Sequence, residues 1–304
     1  MSNVLTALWP VFALIVAGYF LKVRQFPGDV FWPGAERLNY FCLFPALLFY
    51  NLSQAPLTTA ALQSLGGLAL LCMVVGFCLL LCAQRYYRWP GQRFGVFTQG
   101  GLRFNTYLGL AIVGALYGAP GLALAAMMLT LLVPLVNVFS VVSLTAGHRP
   151  SVLQLVLPIV KNPLILACLA GAAANLSGLT LGQGVEVLLK QLSATSLPLG
   201  LLCVGAALQP KTLLGEAKPL MATAVLKLVM MPAVAMGAAW LAGLPSQEAA
   251  ILVIFFALPC APTAYVLTKE LGGDSRLMAA VITLQTALAA VTLTVWLYSL
   301  RYFQ

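Results

Sequence analysis

Residues 254–263 read Ile254-Phe255-Phe256-Ala257-Leu258-Pro259-Cys260-Ala261-Pro262-Thr263, and the way this stretch folds decides the architecture. Two prolines three residues apart each lack a backbone N–H and crowd the carbonyl of the preceding turn, so a helix running through them is kinked or, as the matching irregularity in the first half favours, broken. Apolar residues flank them on both sides, as in a membrane-spanning segment. Roughly 150 residues earlier stands a second irregular stretch, Arg103-Phe104-Asn105-Thr106-Tyr107-Leu108-Gly109. Arg, Asn and Thr at membrane depth need partners that hydrocarbon does not supply. Unwound backbone is stable there only where it is buried in protein or lines a cavity. The two stretches therefore predict two interrupted helices that share a site.

Composition puts both stretches in lipid. Of 304 residues, 62% are apolar and 8% charged, against ~45–50% and ~25% in soluble domains. A soluble enzyme, a disordered chain and a disulfide-stapled secreted domain are excluded. Apolar segments fall near 4–21, 36–53, 62–83, 94–117, 121–143, 152–174, 186–208, 219–241, 249–268 and 277–299. A crossing helix needs about 20 residues, so ten of them take up the chain as a single membrane domain over residues 1–304.

Sixteen Lys and Arg against seven Asp and Glu give a net charge of +9. The basic residues are dispersed and form no nucleic-acid patch. Lys22 and Arg24, then Arg85, Arg88 and Arg93, then Arg149, then Lys211 and Lys218, then Lys269 and Arg276 occupy alternate connections. The intervening connections, near 54–61, 118–120, 175–185 and 242–248, contain neither Lys nor Arg. The positive-inside rule then predicts a multi-pass protein of the cytoplasmic (inner) membrane with both termini on the non-cytoplasmic side. The first segment is expected to stay in place as a helix, because its basic residues follow it rather than precede it.

Shifting the chain by about 153 residues lays Leu43-Phe44-Pro45-Ala46-Leu47-Leu48 on Ser196-Leu197-Pro198-Leu199-Gly200-Leu201, and the stretch behind Asn105 on that behind Pro259. Five is odd, so halves of five helices enter the membrane from opposite sides. The expected fold is all-α integral membrane. About ten transmembrane helices form two inverted five-helix repeats, residues 1–147 and 148–304, with helices 4 and 9 broken and crossing. Each break aims a half-helix N-terminus at the bilayer centre, with Asn105 as the cap of one and Pro259 and Pro262 in the first turn of the other. Partial positive charge at such ends favours an anion between them. Pro45 and Pro198 form a second matched pair, read as kinks that support the crossing. Asn51, Ser53, Ser193 and Ser196 lie nearby, to line a pocket or to bond their own backbone.

Lys227 lies mid-segment, where a lysine is costly, and is expected to face a polar interior. Arg103 stands in the same position at the first break. Lys161 and Asn162 precede Pro163 at the cytoplasmic start of segment six, and Lys190 is expected to snorkel. Asp29, Glu36, Glu186, Glu216, Glu248, Glu270 and Asp274 all read as loop or near-loop residues, which leaves a net positive interior suited to an anion. The seven cysteines sit in apolar runs without a Cys-x-x-Cys pair and are expected to be buried thiols. The single histidine, His148, lies in the central loop. No metal site, cofactor or catalytic residue is expected, and the chain does not read as an enzyme.

The motifs Leu43-Phe44-Pro45-Ala46-Leu47-Leu48-Phe49, Asn105-Thr106-Tyr107-Leu108-Gly109, Lys161-Asn162-Pro163-Leu164, Pro198-Leu199 with Gly205, Lys227 with Pro232, and Ala257-Leu258-Pro259-Cys260-Ala261-Pro262 give the chain a resemblance. Over about its full length it resembles the auxin efflux carrier family, whose bacterial members include malonate and malate permeases. The resemblance implies two inverted five-helix repeats, an elevator-like movement of a transport unit, and an organic anion held at the crossing. Arg103, Asn105, Thr106, Pro259, Cys260, Pro262, Thr263 and Lys227 become the expected substrate contacts, with Pro45, Asn51, Asn162, Pro198 and Ser196 as support. Thr263 and Phe104 depart from the family's usual residues, which favours a small carboxylate over auxin itself. The expected function is secondary transport of small carboxylates by alternating access, with lipid as surroundings, a coupling proton or sodium ion, and room for a homodimer. A sodium-coupled bile-acid-type symporter and a membrane receptor that binds a metabolite without moving it remain the alternatives.

Overall fold

The computed structural model describes residues 2–55, 62–145, 152–214 and 217–300, all of them helical or connecting, with no strand among the described residues. Helix α1 (Ser2–Val23) is the first segment. The second consists of α2 (Phe31–Leu38) and α3 (Phe44–Ser53), joined by a π-helical turn over Asn39–Leu43, with Pro45 in the first turn of α3. A π turn over Leu62–Gly66 leads into α4 (Gly67–Tyr87). Segment four is α5 (Gly91–Leu102) followed by the start of α6 (Thr106–Leu144). At Gly118, with φ 61° and ψ −152°, α6 loses helical geometry, and Pro120 follows. That conformation is open to glycine and closed to residues with a Cβ, so segment five starts there, as the sequence predicts.

The second half continues with α7 (Val152–Val160), α8 (Pro163–Leu176) and α9 (Gln183–Ala206). A 3-10 turn over Pro210–Leu214 follows, then α10 (Ala217–Val225), a π turn over Leu226–Met230, and α11 (Met231–Leu241). Segment nine is α12 (Ser246–Ala257) and α13 (Thr263–Glu270), and segment ten is α14 (Ser275–Ser299). Every apolar segment of the sequence is thus helical, and six helical runs are long and apolar enough to cross a membrane. Leu5, Trp9, Val16 and Phe20 lie exposed along α1, a surface that lipid covers and water would not. The protein is an all-α integral membrane protein.

Helices α5 and α12 are near copies of each other. Each has 12 residues and starts behind a proline, Pro90 (φ −54°, ψ 144°) or Pro245 (φ −54°, ψ 145°). Each ends on an extended residue, Arg103 (φ −71°, ψ 141°) or Leu258 (φ −65°, ψ 143°). Their inner ends are buried on every face, Phe94 to Leu102 in one and Ala250 to Ala257 in the other. A helix buried on every face lies in the centre of a bundle, and these two occupy it, α12 with an apolar inner end and α5 with Thr98 and Gln99 among its buried residues.

A second pair of contacts follows the same shift. Helix α1 lies along α9, and α3 lies along α8. A methyl group at Gly18 of α1 would stand 2.0 Å from the Leu202 carbonyl oxygen of α9, and one at Gly171 of α8 would stand 2.8 Å from that of Phe49 in α3. Positions 18 and 171 are 153 apart, and so are 49 and 202, so one close backbone approach occurs twice in the chain. Helices α1, α3, α8 and α9 form one bundle, while α4, α5 and α10 to α14 form the other, with α6 running between them.

Two expectations change. Cys72, Cys168, Cys203 and Cys260 are buried, but Cys42, Cys78 and Cys82 are exposed, because they lie on the outward faces of their helices. Glu36, Glu186, Glu248 and Glu270 are helical rather than loop residues, each within a terminal turn of α2, α9, α12 or α13. His148, Arg149, Glu216 and the boundary between residues 147 and 148 lie outside the described residues.

Candidate functional site at the crossing of the broken helices

The two breaks are bonded to each other. The Asn105 N–H donates to the Pro259 carbonyl at 2.8 Å. The Phe104 ring stands edge-on to Phe255 at 5.7 Å between centroids. Gly109, one turn into α6, lies so close to α12 that a Cβ there would come within 2.6 Å of Leu258 Cδ1. The polar groups freed by unwinding are answered from α14. Gln285 accepts from the Cys260 N–H at 2.9 Å and donates to the carbonyls of Gly100 (3.0 Å) and Thr223 (3.2 Å). Gln99 ties α5 to the far half of segment nine, donating to Thr268 Oγ1 at 2.7 Å, while its carbonyl accepts from the Cys260 thiol at 3.4 Å. Buried backbone groups in lipid must find partners inside the protein, and Gln285 supplies them here.

A cavity of about 660 Å³ opens between the two bundles onto this crossing, within the ~300–1,000 Å³ range of small-molecule sites. Arg103, Asn105, Thr106, Pro262 and Thr263 form its floor, Phe44, Tyr107 and Asn137 its walls, and Glu36, Arg37 and Glu270 its mouth. Asn105 Oδ1 accepts from the Leu108 N–H at 3.2 Å, the capping bond expected from the sequence. Its Nδ2 is buried and has no partner. The half-buried Arg103 makes one long hydrogen bond, 3.5 Å to Gln99 Oε1, and no ion pair among the described residues. Helices α6 and α13 both start from this floor; the Leu108 N–H of α6 is taken by Asn105 Oδ1, and the Ala264 and Tyr265 N–H groups of α13 by the carbonyls of Ala261 and Pro262.

The structure therefore brings Arg103, Asn105, Thr106, Pro262, Thr263 and Asn162 to one cavity. Asn162 also caps α8, accepting from the N–H groups of Leu164 (2.9 Å) and Ile165 (3.3 Å). Pro259, Cys260 and Lys227 are not part of the lining. Pro262 is the N-cap of α13, whereas Pro259 stays in the extended link instead of the first turn, where its carbonyl takes the Asn105 N–H. Lys227 is fully buried behind Phe104, with Nζ 5.9 Å from the ring centroid. Ser196 donates to Asn39 Oδ1 at 2.9 Å, tying α9 to the π turn of segment two. Asn51 donates to its own helix, at Leu47 O, 2.8 Å away. The net positive interior expected from the sequence does not hold for the cavity as a whole, since Glu36 and Glu270 are part of its lining beside Arg103 and Arg37. Gln99, Gln285, Asn137 and Tyr107 went unread as site residues. An amide in the middle of an apolar span was the available signal for the first three.

A second groove of about 520 Å³ holds Asn51 and Pro198. Along α9 it takes residues 190–201, where the first cavity takes 203 and 204; before Gly118 in α6 it takes 111–115, where the first takes 106 and 107. Its residues stand in register with those of the first cavity. Arg37 and Lys190, Tyr40 and Ser193, Phe44 and Leu197, Tyr50 and Cys203, Asn51 and Val204, and Val11 and Leu164 are all pairs 153 positions apart with one member in each space.

Residues 148–297 match the family described as membrane transport protein. Over 300 residues the chain is 25% identical to an uncharacterized transporter of Methanothermobacter thermautotrophicus, covering 94% of this chain and 95% of that protein. Over 301 residues it is 21% identical to an uncharacterized transporter of Methanocaldococcus jannaschii, with the same shares covered. The broken helices, the cavity between two bundles and these likenesses agree: the chain belongs to the auxin efflux carrier family of membrane transport proteins and is a transporter rather than an enzyme.

Proposed function

We propose that the protein carries small organic anions, carboxylates above all, across the cytoplasmic membrane by alternating access. One observation carries the reading: the cavity floor gathers the Arg103 guanidinium without a counter-charge, the unpartnered Asn105 amide and two helix N-termini. All of them are donors or positive, and a carboxylate satisfies them together. Of the two carboxylates in the lining, Glu270 stands off from this floor. Glu270 is seven residues along α13 from Thr263, about 10 Å at the helical rise.

The register between the two grooves supports two inverted repeats, residues 1–147 and 148–304, and a pathway with two mouths. The existing mouth lies by Glu36, Arg37 and Glu270, among the connections that carry Lys22, Arg24, Lys269 and Arg276. By the positive-inside rule it faces the cytoplasm, and both termini lie on the other side. An elevator-like step would slide the α4–α5 and α10–α14 bundle along the other until the crossing meets the second groove. That groove favours transport over a receptor that only binds. A sodium-coupled bile-acid-type mechanism is less well supported, because the amides at the crossing, Gln99 and Gln285, are already engaged by protein groups.

The test is a thermal-shift screen of the purified protein against mono-, di- and tricarboxylates, amines and sugars, followed by counterflow of labelled malonate in proteoliposomes. Stabilisation by carboxylates and exchange of malonate are the expected results. Stabilisation by amines or sugars alone, or binding without exchange, would contradict the proposal.

A further inference from the structure

Lys227 is the one charged side chain among the described residues with no exposure at all, and its Nζ has no hydrogen-bond partner. It does not reach the cavity, because the buried Phe104 ring, part of the lining, stands between at 5.9 Å from Nζ. The residue sits on the π turn Leu226–Met230, a distortion that recurs at functional sites. Trp296 Nε1 donates to the Leu228 carbonyl of that turn at 2.8 Å and so fixes it. A lysine with no role would be an expensive choice in this place. An ammonium there has neither water nor a counter-charge and is tolerated only when negative charge comes near.

We propose that Lys227 is the proton-coupling group of the transport cycle: anion binding at the crossing and protonation of Nζ favour each other across the Phe104 ring, so each anion travels with one proton. The inference rests on the crossing being the anion site. In the empty carrier Nζ is a neutral amine. When an anion occupies the floor, Nζ takes one proton from the open side, and on release the proton leaves with the anion; no other bond changes. Mutual stabilisation of two ligands is reciprocal by linkage.

The ionisable groups facing Lys227 fit this behaviour. The Cys260 thiol interacts electrostatically with both Lys227 and Arg103. Arg103 keeps its charge throughout and opposes a second positive charge until an anion arrives. Elsewhere on the helices around the turn, Arg93, Lys218, Glu248, Arg276 and Tyr298 all sit in end turns. With an ammonium supplied by the chain itself, the cycle needs no sodium.

The experiment has two arms, both with malonate as the probe. In weak buffer near neutral pH, a pH indicator follows malonate binding to purified wild-type protein and to Lys227→Met, which keeps the side-chain length without the charge. About one proton taken up per malonate bound by wild type, and none by Lys227→Met, is expected. Wild-type binding without proton uptake, or unchanged uptake by the variant, would overturn the inference, and the wild-type result decides if the variant does not fold. In proteoliposomes with the membrane potential held at zero, a tenfold proton gradient should sustain about a tenfold malonate gradient in wild type, and a sodium gradient none. Lys227→Met should keep counterflow and lose this accumulation. Malonate exchange indifferent to the proton gradient would sink the inference and leave the anion site standing, whereas no malonate exchange at all would remove the anion site itself.

Discussion

At Gln285 a single amide answers three backbone groups: the Cys260 N–H and the Gly100 carbonyl at the two breaks, and the Thr223 carbonyl of α10. Gln285→Leu keeps the volume and orphans all three, at about 1–3 kcal/mol for each buried group. The expected result is a lower melting temperature and a poor yield of monodisperse protein, read by thermal shift and size-exclusion chromatography. Arg103 is the opposite case, since it supports little of the fold and faces the cavity. Arg103→Gln should leave the melting temperature close to wild type and weaken malonate binding about ten- to a hundredfold, the worth of a charged hydrogen bond at about 1.5–3 kcal/mol. Equal losses of stability in the two variants would show that these roles are misassigned. Asn105 and Pro262 were legible in the sequence because each acts on its own backbone, one as a cap and one as a breaker. Gln285 was not, because its partners lie 25, 62 and 185 residues away and no local pattern announces them.

Among the elements, the contact of α1 with α9 is the tightest. Gly205→Ala would put a methyl group 1.9 Å from the Ile15 carbonyl oxygen, and Gly18→Ala one at 2.0 Å from that of Leu202. Both substitutions should separate the helices and lower the melting temperature sharply. Gly237→Ala on α11 meets nothing within 4 Å and should be neutral or stabilising by up to about 1 kcal/mol, the helix-propensity gain. A thermal-shift series over the three sorts close approach from mere helical glycine. Hydropathy was enough to read all ten segments, because lipid demands length and apolarity. The subdivision of segment six at Asn162, and the three π turns, were beyond it. Such interruptions depend on where a distant side chain takes up a freed carbonyl, as Trp296 does at Leu228.

For the molecule as a whole, the account joins a repeated backbone register to a site that opens by turns to either side. The shift of 153 residues that was faint in the sequence recurs in the glycine contacts and across the two grooves. Charges near the two mouths should then matter differently from those on the floor. Arg37→Gln and Lys190→Gln should change the salt dependence of malonate uptake from their own sides, with only a small effect on binding, because exposed charges act through screened attraction. The central claim is that the floor of the crossing meets both sides of the membrane in turn. It is tested most directly with Thr263→Cys in a chain whose seven native cysteines are replaced. A membrane-impermeant maleimide is applied to right-side-out and to inside-out vesicles. The account predicts labelling from both faces, slowed on each by malonate; labelling confined to one face, or untouched by malonate, would contradict it.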